Sequence, residues 1–122
     1  MDGEKRWINA GHDVSQAGWT PLMIACSAGR EQIARLLLEA GADVDWSNDI
    51  GCTSLMYAAS RNRLSVAKLL LDSGADVNRR DKRCSTALHR AASVGHEDMV
   101  DLLLKTKGVE VNPVDSEKNT PL

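Results

Sequence analysis

The feature that most constrains this fold is a motif that recurs every 33 residues. Three threonines mark it, because Thr20, Thr53 and Thr86 follow one another at that interval. Apolar residues keep the same spacing, namely Leu22, Leu55 and Leu88, then Ala25, Ala58 and Ala91, then the leucine triplets 36–38, 69–71 and 102–104. A fixed period of this length indicates a stack of similar units, each burying its apolar face against its neighbours.

Each unit carries the signals of two short helices. In the first unit, Thr20 is placed to cap a helix, and Pro21 suits a first turn that needs no amide donor. Gly29 predicts the end of that helix, and Gly41 predicts the end of a second helix that begins near residue 31. In the second unit Asn62 replaces the glycine between the helices, and asparagine is the next residue most tolerant of a positive φ. The substitution therefore supports the same alignment.

The second helix of the first unit should bury one apolar stripe. Ile33, Leu36 and Leu37 recur at helical spacing, which predicts that they face the core together. At the other end of the chain, a Thr-Pro-Leu sequence ends the chain at Leu122, where a further helix should begin. We therefore expect Leu102 and Leu103 of the third unit to be under-covered.

A 33-residue unit of one β-turn and two helices is typical of ankyrin repeats. The predicted fold class is an all-α repeat, an ankyrin solenoid of helix-turn-helix units joined by β-hairpin-like turns. The predicted divisions of this single domain are a degenerate cap or remnant of an earlier repeat at 1–14, repeats at 15–47, 48–80 and 81–114, and the start of a further repeat at 115–122.

Charge and composition exclude several kinds of partner. The formal net charge of −2 leaves no excess of cations to hold phosphate backbones, so nucleic acid is not an expected partner. No apolar run approaches the roughly 20 residues that span a bilayer, and the polar N-terminus does not suit a signal peptide. Three cysteines without paired spacing indicate reduced thiols. The expected location is the cytoplasm, the nucleus or both.

Catalytic and metal-binding patterns are not recognisable. His12, His89 and His96 have no metal-ligand spacing with the cysteines, and the glycines fall at turns or helix ends rather than in a phosphate loop. The acidic residues recur at repeat positions, which argues against paired acid–base catalysis. We therefore expect no catalytic residue, metal, cofactor or small-molecule substrate, and we predict that the chain is not an enzyme.

The surface predicted to act is the concave one, formed by turn tips and first helices, and its expected occupant is a protein. Trp19 and Tyr57 are of the type enriched in binding hot spots, and several cations cluster in the second and third units. By position, the candidate contact residues are Trp19, Ser27, Asp49, Ile50, Tyr57, Ser60, Arg61, Lys82, Arg83, Arg90 and Val94.

Three segments carry a closer resemblance. Residues 18–29, 55–63 and 88–95, in that order and register, resemble the middle repeats of the gankyrin group, ankyrin-repeat chaperones of the proteasome regulatory particle. The resemblance implies binding to the C-terminal domain of one proteasomal ATPase subunit during assembly, by occupancy and without a covalent step. It also implies that the histidine of the Thr-Pro-Leu-His motif ties the threonine hydroxyl to the neighbouring loop. Met23 and Met56 depart from that motif, and His89 keeps it.

Two other classes of protein fit the same repeats. The chain could be the ankyrin segment of a signalling scaffold, or the recognition arm of a multidomain enzyme whose catalytic residues lie elsewhere. Both alternatives share the prediction of a protein partner on the concave face.

Overall fold

The computed structural model describes residues 18–111 together with residues 114, 117 and 120. Within them the chain forms six helices, and no strand occurs in this part of the chain. The helices are α1 (Pro21–Ala28), α2 (Glu31–Glu39), α3 (Ser54–Ser60), α4 (Leu64–Asp72), α5 (Ala87–Val94) and α6 (Glu97–Leu104). The predicted all-α repeat of helix-turn-helix units is confirmed.

A threonine caps the first helix of each pair. The hydroxyls of Thr20, Thr53 and Thr86 accept hydrogen bonds from the backbone N–H three residues later, at 3.3, 3.4 and 3.3 Å. In the third unit His89 Nδ1 also accepts from the backbone N–H of Thr86 at 3.1 Å, which completes a capping box. His89 Nδ1 also lies 3.0 Å from the Thr86 hydroxyl oxygen, so the histidine contacts the threonine as the resemblance implies, and its link to the neighbouring loop stays a prediction.

The ends of these helices follow the predicted glycine pattern. Gly29 and Gly95 adopt φ of 75° and 85°, and Asn62 takes the same left-handed conformation at φ 58°. The left-handed residue turns the chain so that the second helix of each unit runs back against the first. The sequence signal for the turn between helices is therefore confirmed in the first two units, and Gly95 has the same conformation in the third.

The six helices form two rows. Helices α1, α3 and α5 pack side by side in an inner row, and α2, α4 and α6 form an outer row behind them. The core lies between the rows and between consecutive units, and its larger members are Leu22, Met23, Leu55, Met56, Val66, Leu70, Leu88, Met99 and Leu103. Each unit is therefore stabilised by its neighbours as much as by its own helix pair.

A polar link joins consecutive units at one repeated position. Arg63 Nε donates to the carbonyl oxygen of Ser27 in the preceding unit at 3.1 Å, and its side chain lies over Gly29. One unit later, His96 Nε2 lies 3.1 Å from the carbonyl oxygen of Ser60. Both contacts provide a partner for a carbonyl at the end of an inner helix, where the helix itself offers none.

We expect Arg63→Ala to lower the free energy of unfolding by about 1 kcal/mol, because a partly buried hydrogen bond between units is lost. Urea denaturation followed by circular dichroism measures the change. Arg61→Ala is the matched control, since Arg61 is exposed and its side chain makes no hydrogen bond or ion pair to another described residue. Equal loss in the two variants would show that the link contributes nothing specific.

The predicted apolar stripe on α2 is wrong for two of its three members. Ile33 is 51% exposed and Leu36 is 64% exposed, whereas Leu37 is half-buried. The residues that stand at the position of Ile33 in later units, Val66 and Met99, are 2% and 0% exposed. This position therefore faces the preceding unit, and Ile33 belongs to the first unit that the structure describes.

The expectation that Leu102 and Leu103 are under-covered is also wrong. Leu103 is fully buried in the core, and Leu102 is half-buried and packs against that core. Leu104, which is 37% exposed, is the member of the triplet left open.

None of the described helices has the length and apolar character needed to span a membrane.

Candidate protein-binding surface

We call the open side of the inner row, together with the hairpin tips at residues 49–51 and 82–84, the inner face. Most of the predicted contact residues are accessible there. Exposed are Asp49, Ile50, Arg61, Lys82, Arg83 and Val94, and half-buried are Trp19, Tyr57, Ser60 and Arg90. Two short helices and their connecting hairpin therefore position most of the candidate residues in each unit.

Ser27 does not belong with the others. Its side chain is buried, and its carbonyl accepts the hydrogen bond from Arg63. The expectation that Ser27 contacts a partner is therefore wrong, because the position lies beneath the adjoining unit rather than at the surface. Ser60 serves the same backbone role for His96, although its side chain stays half-exposed.

The hairpin tips touch one another, which fixes their spacing. The backbone N–H of Lys82 donates to the carbonyl of Ile50 at 3.0 Å. Gly51 has a φ of +81°, and a Cβ there would lie 2.9 Å from the backbone nitrogen of Lys82. A larger residue would push the tips apart, so Gly51 is needed both for its conformation and for the close approach.

An aromatic pair lies at the base of the first tip. The ring centroids of Trp19 and Tyr57 are 4.2 Å apart with an interplanar angle of 39°. Asn48 Nδ2 donates to the Tyr57 hydroxyl at 2.7 Å, and Asn48 Oδ1 accepts from the backbone N–H groups of Ile50 and Cys52 at 3.2 and 2.9 Å. Burial raises the pKa of the Tyr57 phenol, so it stays neutral. The pair is held in place before any partner arrives.

The third unit repeats this arrangement with different chemistry. Asp81 stands where Asn48 stands, and Arg90 stands where Tyr57 stands. Asp81 Oδ2 accepts from Arg90 Nη2 at 2.8 Å, and Asp81 Oδ1 accepts from the backbone N–H groups of Arg83 and Ser85 at 2.8 and 3.0 Å. In both units a side chain at the start of the hairpin orders the tip and fixes the residue nine positions later.

Several of the cations that cluster in the second and third units are paired with acidic side chains, which reduces the positive charge open to a partner. Arg80 Nη2 lies 3.3 Å from Glu110 Oε2, Arg83 Nη2 lies 3.2 Å from Glu117 Oε1, and Arg90 is bonded to Asp81. Arg61 and Lys82 are exposed and make no ion pair within residues 18–111 or with residues 114, 117 and 120. Positive charge without a partner is therefore concentrated at those two side chains.

Sequence reasoning missed two residues of this surface. Ile24 is 44% exposed at the position occupied by Tyr57 and Arg90 in the next units, and Asn48 is the buried residue that holds Tyr57. The 33-residue offset could have identified Ile24. The role of Asn48 depends on hairpin geometry that the period alone does not specify.

Two of the three thiols are inaccessible. Burial raises the pKa of Cys26 to about 12, and a hydrogen bond with Ser54 opposes this only slightly. Burial also raises the pKa of Cys52, although the charge of Arg90, whose Nη2 lies 2.7 Å from the sulfur, opposes it. Cys84, at the second tip, is exposed.

We therefore expect one alkylation of the native chain by iodoacetamide at pH 8, at Cys84, and three in urea. The raised pKa values keep Cys26 and Cys52 protonated at that pH, and burial blocks the reagent. Intact mass spectrometry counts the adducts, and Cys84→Ser should remove the native one. A second rapid adduct on the native chain would contradict the described burial.

The described residues contain no group of three or more His, Cys, Asp or Glu side chains able to hold a metal ion. Between the outer helices lie two shallow clefts of about 330 and 550 Å³, which are open to solvent. Among the described residues, the inner face is the surface that carries the ordered aromatic pair and most of the candidate contact residues.

Comparison with known proteins agrees with the fold. A family model for ankyrin repeats in three copies matches residues 5–81, and a model for a single ankyrin repeat matches residues 84–116. Protein phosphatase 1 regulatory subunit 27 of Homo sapiens is 58% identical over 40 residues, and that of Mus musculus is 55% identical over 40 residues. Oxysterol-binding protein-related protein 1 of Homo sapiens is 48% identical over 40 residues.

These matches are local. Each of the three covers 33% of this chain. They span 26% of either phosphatase subunit and 4% of the oxysterol-binding protein-related protein. The similarity therefore extends over little more than one repeat, and most of each relative lies outside it.

Proposed function

Because this chain belongs to the ankyrin-repeat family, we propose that it is a non-catalytic module that binds a protein partner on its inner face. The observation that carries the proposal is the ordered aromatic pair of Trp19 and Tyr57, which is accessible at the surface and fixed from below by Asn48. Large amphipathic side chains that are ordered in advance supply contact area at low entropic cost. Ankyrin-repeat proteins are generally non-catalytic, which fits this role.

The test uses the whole chain as bait for proteins of a eukaryotic cell extract, with two tryptophan variants beside it. Trp19→Ala removes half of the aromatic pair, whereas Trp46→Ala removes a tryptophan of the loop after α2, outside the inner face. We expect a saturable partner that binds the wild-type chain and Trp46→Ala but not Trp19→Ala. Circular dichroism must show all three folded. Equal retention by the two variants would refute the inner face as the binding surface.

For the identity of the partner, we propose first the C-terminal domain of a proteasomal ATPase subunit, with the chain acting as a gankyrin-like assembly chaperone in the cytoplasm or nucleus. The support is the resemblance of residues 18–29, 55–63 and 88–95 to the middle repeats of that group. Such a chaperone would act by occupying the ATPase domain and delaying its docking. The inner face needs no covalent chemistry for this.

The phosphatase relatives favour a second candidate. Their name describes them as regulatory subunits of protein phosphatase 1, and the match reaches 58% identity over its 40 residues. Under this alternative the chain is the ankyrin segment of a phosphatase-associated signalling scaffold. The recognition arm of a multidomain enzyme is a further alternative, and it also binds a protein partner.

Purified proteins separate the two candidates. Isothermal titration of the chain with the C-terminal domain of each proteasomal ATPase, and with the protein phosphatase 1 catalytic subunit, compares them directly. Binding of one ATPase domain above the others supports the chaperone. Binding of the phosphatase alone supports the scaffold, and absence of binding to all of them rejects both identities while the inner-face proposal is judged by the tryptophan variants.

A further inference from the structure

The inner face changes in character along the stack. At the α1 end two apolar side chains are exposed, Ile24 on the helix and Ile50 on the first tip, and the acidic Asp49 is exposed on that tip as well. One unit later Lys82 stands where Asp49 stands, and Arg83 stands where Ile50 stands. The second tip is therefore cationic where the first is acidic and apolar.

The two tips are neighbours, so a single ligand can touch both. The hydrogen bond of 3.0 Å between the backbone of Lys82 and that of Ile50 keeps the tips in contact. Arg61 is a separate cation at the C-terminal end of α3, one helical turn beyond Tyr57 and at the end of the helix away from the tips. A ligand on Tyr57 would therefore have the second tip on one side and Arg61 on the other.

The cations differ in their availability. The charge of Arg90 is satisfied by Asp81, which is buried, so Arg90 serves the fold. Arg83 pairs with Glu117, but both side chains are well exposed, and such surface pairs contribute little and exchange readily. Lys82 and Arg61 have no acidic partner within the described residues. A ligand carboxylate would meet these two first.

We propose that the inner face selects a segment of its protein partner that joins an aliphatic or aromatic anchor to acidic side chains. The anchor packs on Trp19 and Tyr57 between Ile24 and Ile50, and the carboxylates lie beside Lys82 and Arg61. The inference rests on the proposed function and adds the chemistry of the partner. Charge complementarity would govern the choice of partner and the association rate, while the ordered rings would supply the apolar contact.

The probe is a phage-displayed library of random short peptides, selected on the immobilised whole chain. Enriched peptides are synthesised with a fluorophore and titrated by anisotropy against the wild type, Trp19→Ala, Lys82→Glu and Lys68→Glu. Lys68 is the matched control, since it is an exposed lysine of the outer helix α4. We expect enrichment of Asp or Glu near an apolar residue. Lys82→Glu should weaken binding about tenfold, and Lys68→Glu should leave it unchanged.

The outcomes distinguish this inference from the proposed function. Peptides that lose affinity for Trp19→Ala but carry no acidic residues, or bind Lys82→Glu as well as the wild type, would overturn the acidic partner and leave the inner face as the binding surface. Peptides that bind Trp19→Ala and Lys82→Glu as tightly as the wild type would overturn the acidic partner and the inner face as the binding surface. Added salt should weaken the binding of the selected peptides, and it should do so more for the wild type than for Lys82→Glu. That result would support the proposed role of the Lys82 charge.

Discussion

Replacing Asp81 by alanine is expected to lower the free energy of unfolding by about 3 kcal/mol. The Asp81 side chain is 4% exposed, and it accepts from Arg90 and from two backbone N–H groups of the tip. Alanine would leave the Arg90 guanidinium, whose side chain is 27% exposed, without its carboxylate and the two amides without their acceptor. Urea denaturation monitored by circular dichroism gives the value.

The second unit supplies a rescue for this variant. Asp81→Asn keeps an acceptor for the amides but loses the charge opposite Arg90, so it should cost less than alanine. Adding Arg90→Tyr would recreate the Asn48–Tyr57 pair one unit later, and most of the lost stability should return. If the double variant is no more stable than Asp81→Asn alone, the two pairs are not equivalent.

The parts of the fold that the sequence predicts well are those specified by local chemistry. A threonine before a helix can satisfy its free amides whatever surrounds it, and Gly29 or Asn62 can adopt the left-handed turn without tertiary help. Those signals placed the helix pairs close to where they lie. The helix pairs in turn placed nearly all the candidate contact residues on one surface.

Burial within the stack was predicted less well, because it depends on which neighbour covers a given face. Helical spacing groups Ile33 with Leu37 on α2, but it does not say that the position of Ile33 faces the preceding unit. The same limitation made Leu103 look uncovered and Ser27 look accessible. Periodicity describes a face of a helix, whereas coverage is a property of two units.

For the candidate site too, the sequence predicted the residues but not the contacts between them. Trp19 and Tyr57 could be recognised from residue type and position, but their contact and the bond from Asn48 require the folded hairpin. Opposite charges 30 and 34 residues apart pair Arg80 with Glu110 and Arg83 with Glu117. A count of cations along the chain therefore overstates the positive charge that a partner would meet.

Leu103→Ala should lower the free energy of unfolding by about 2–5 kcal/mol, because the leucine is fully buried and its removal leaves a cavity. Leu36→Ala should change it by no more than about 0.5 kcal/mol, since most of that side chain is already in water. Both leucines lie on outer helices, but Leu36 has the repeat position of Leu102 and Leu103 has that of Leu37, so the pair contrasts an exposed leucine with a buried one. Urea denaturation of both variants measures the difference. Similar costs for the two variants would mean that Leu36 is covered in solution, contrary to its described exposure.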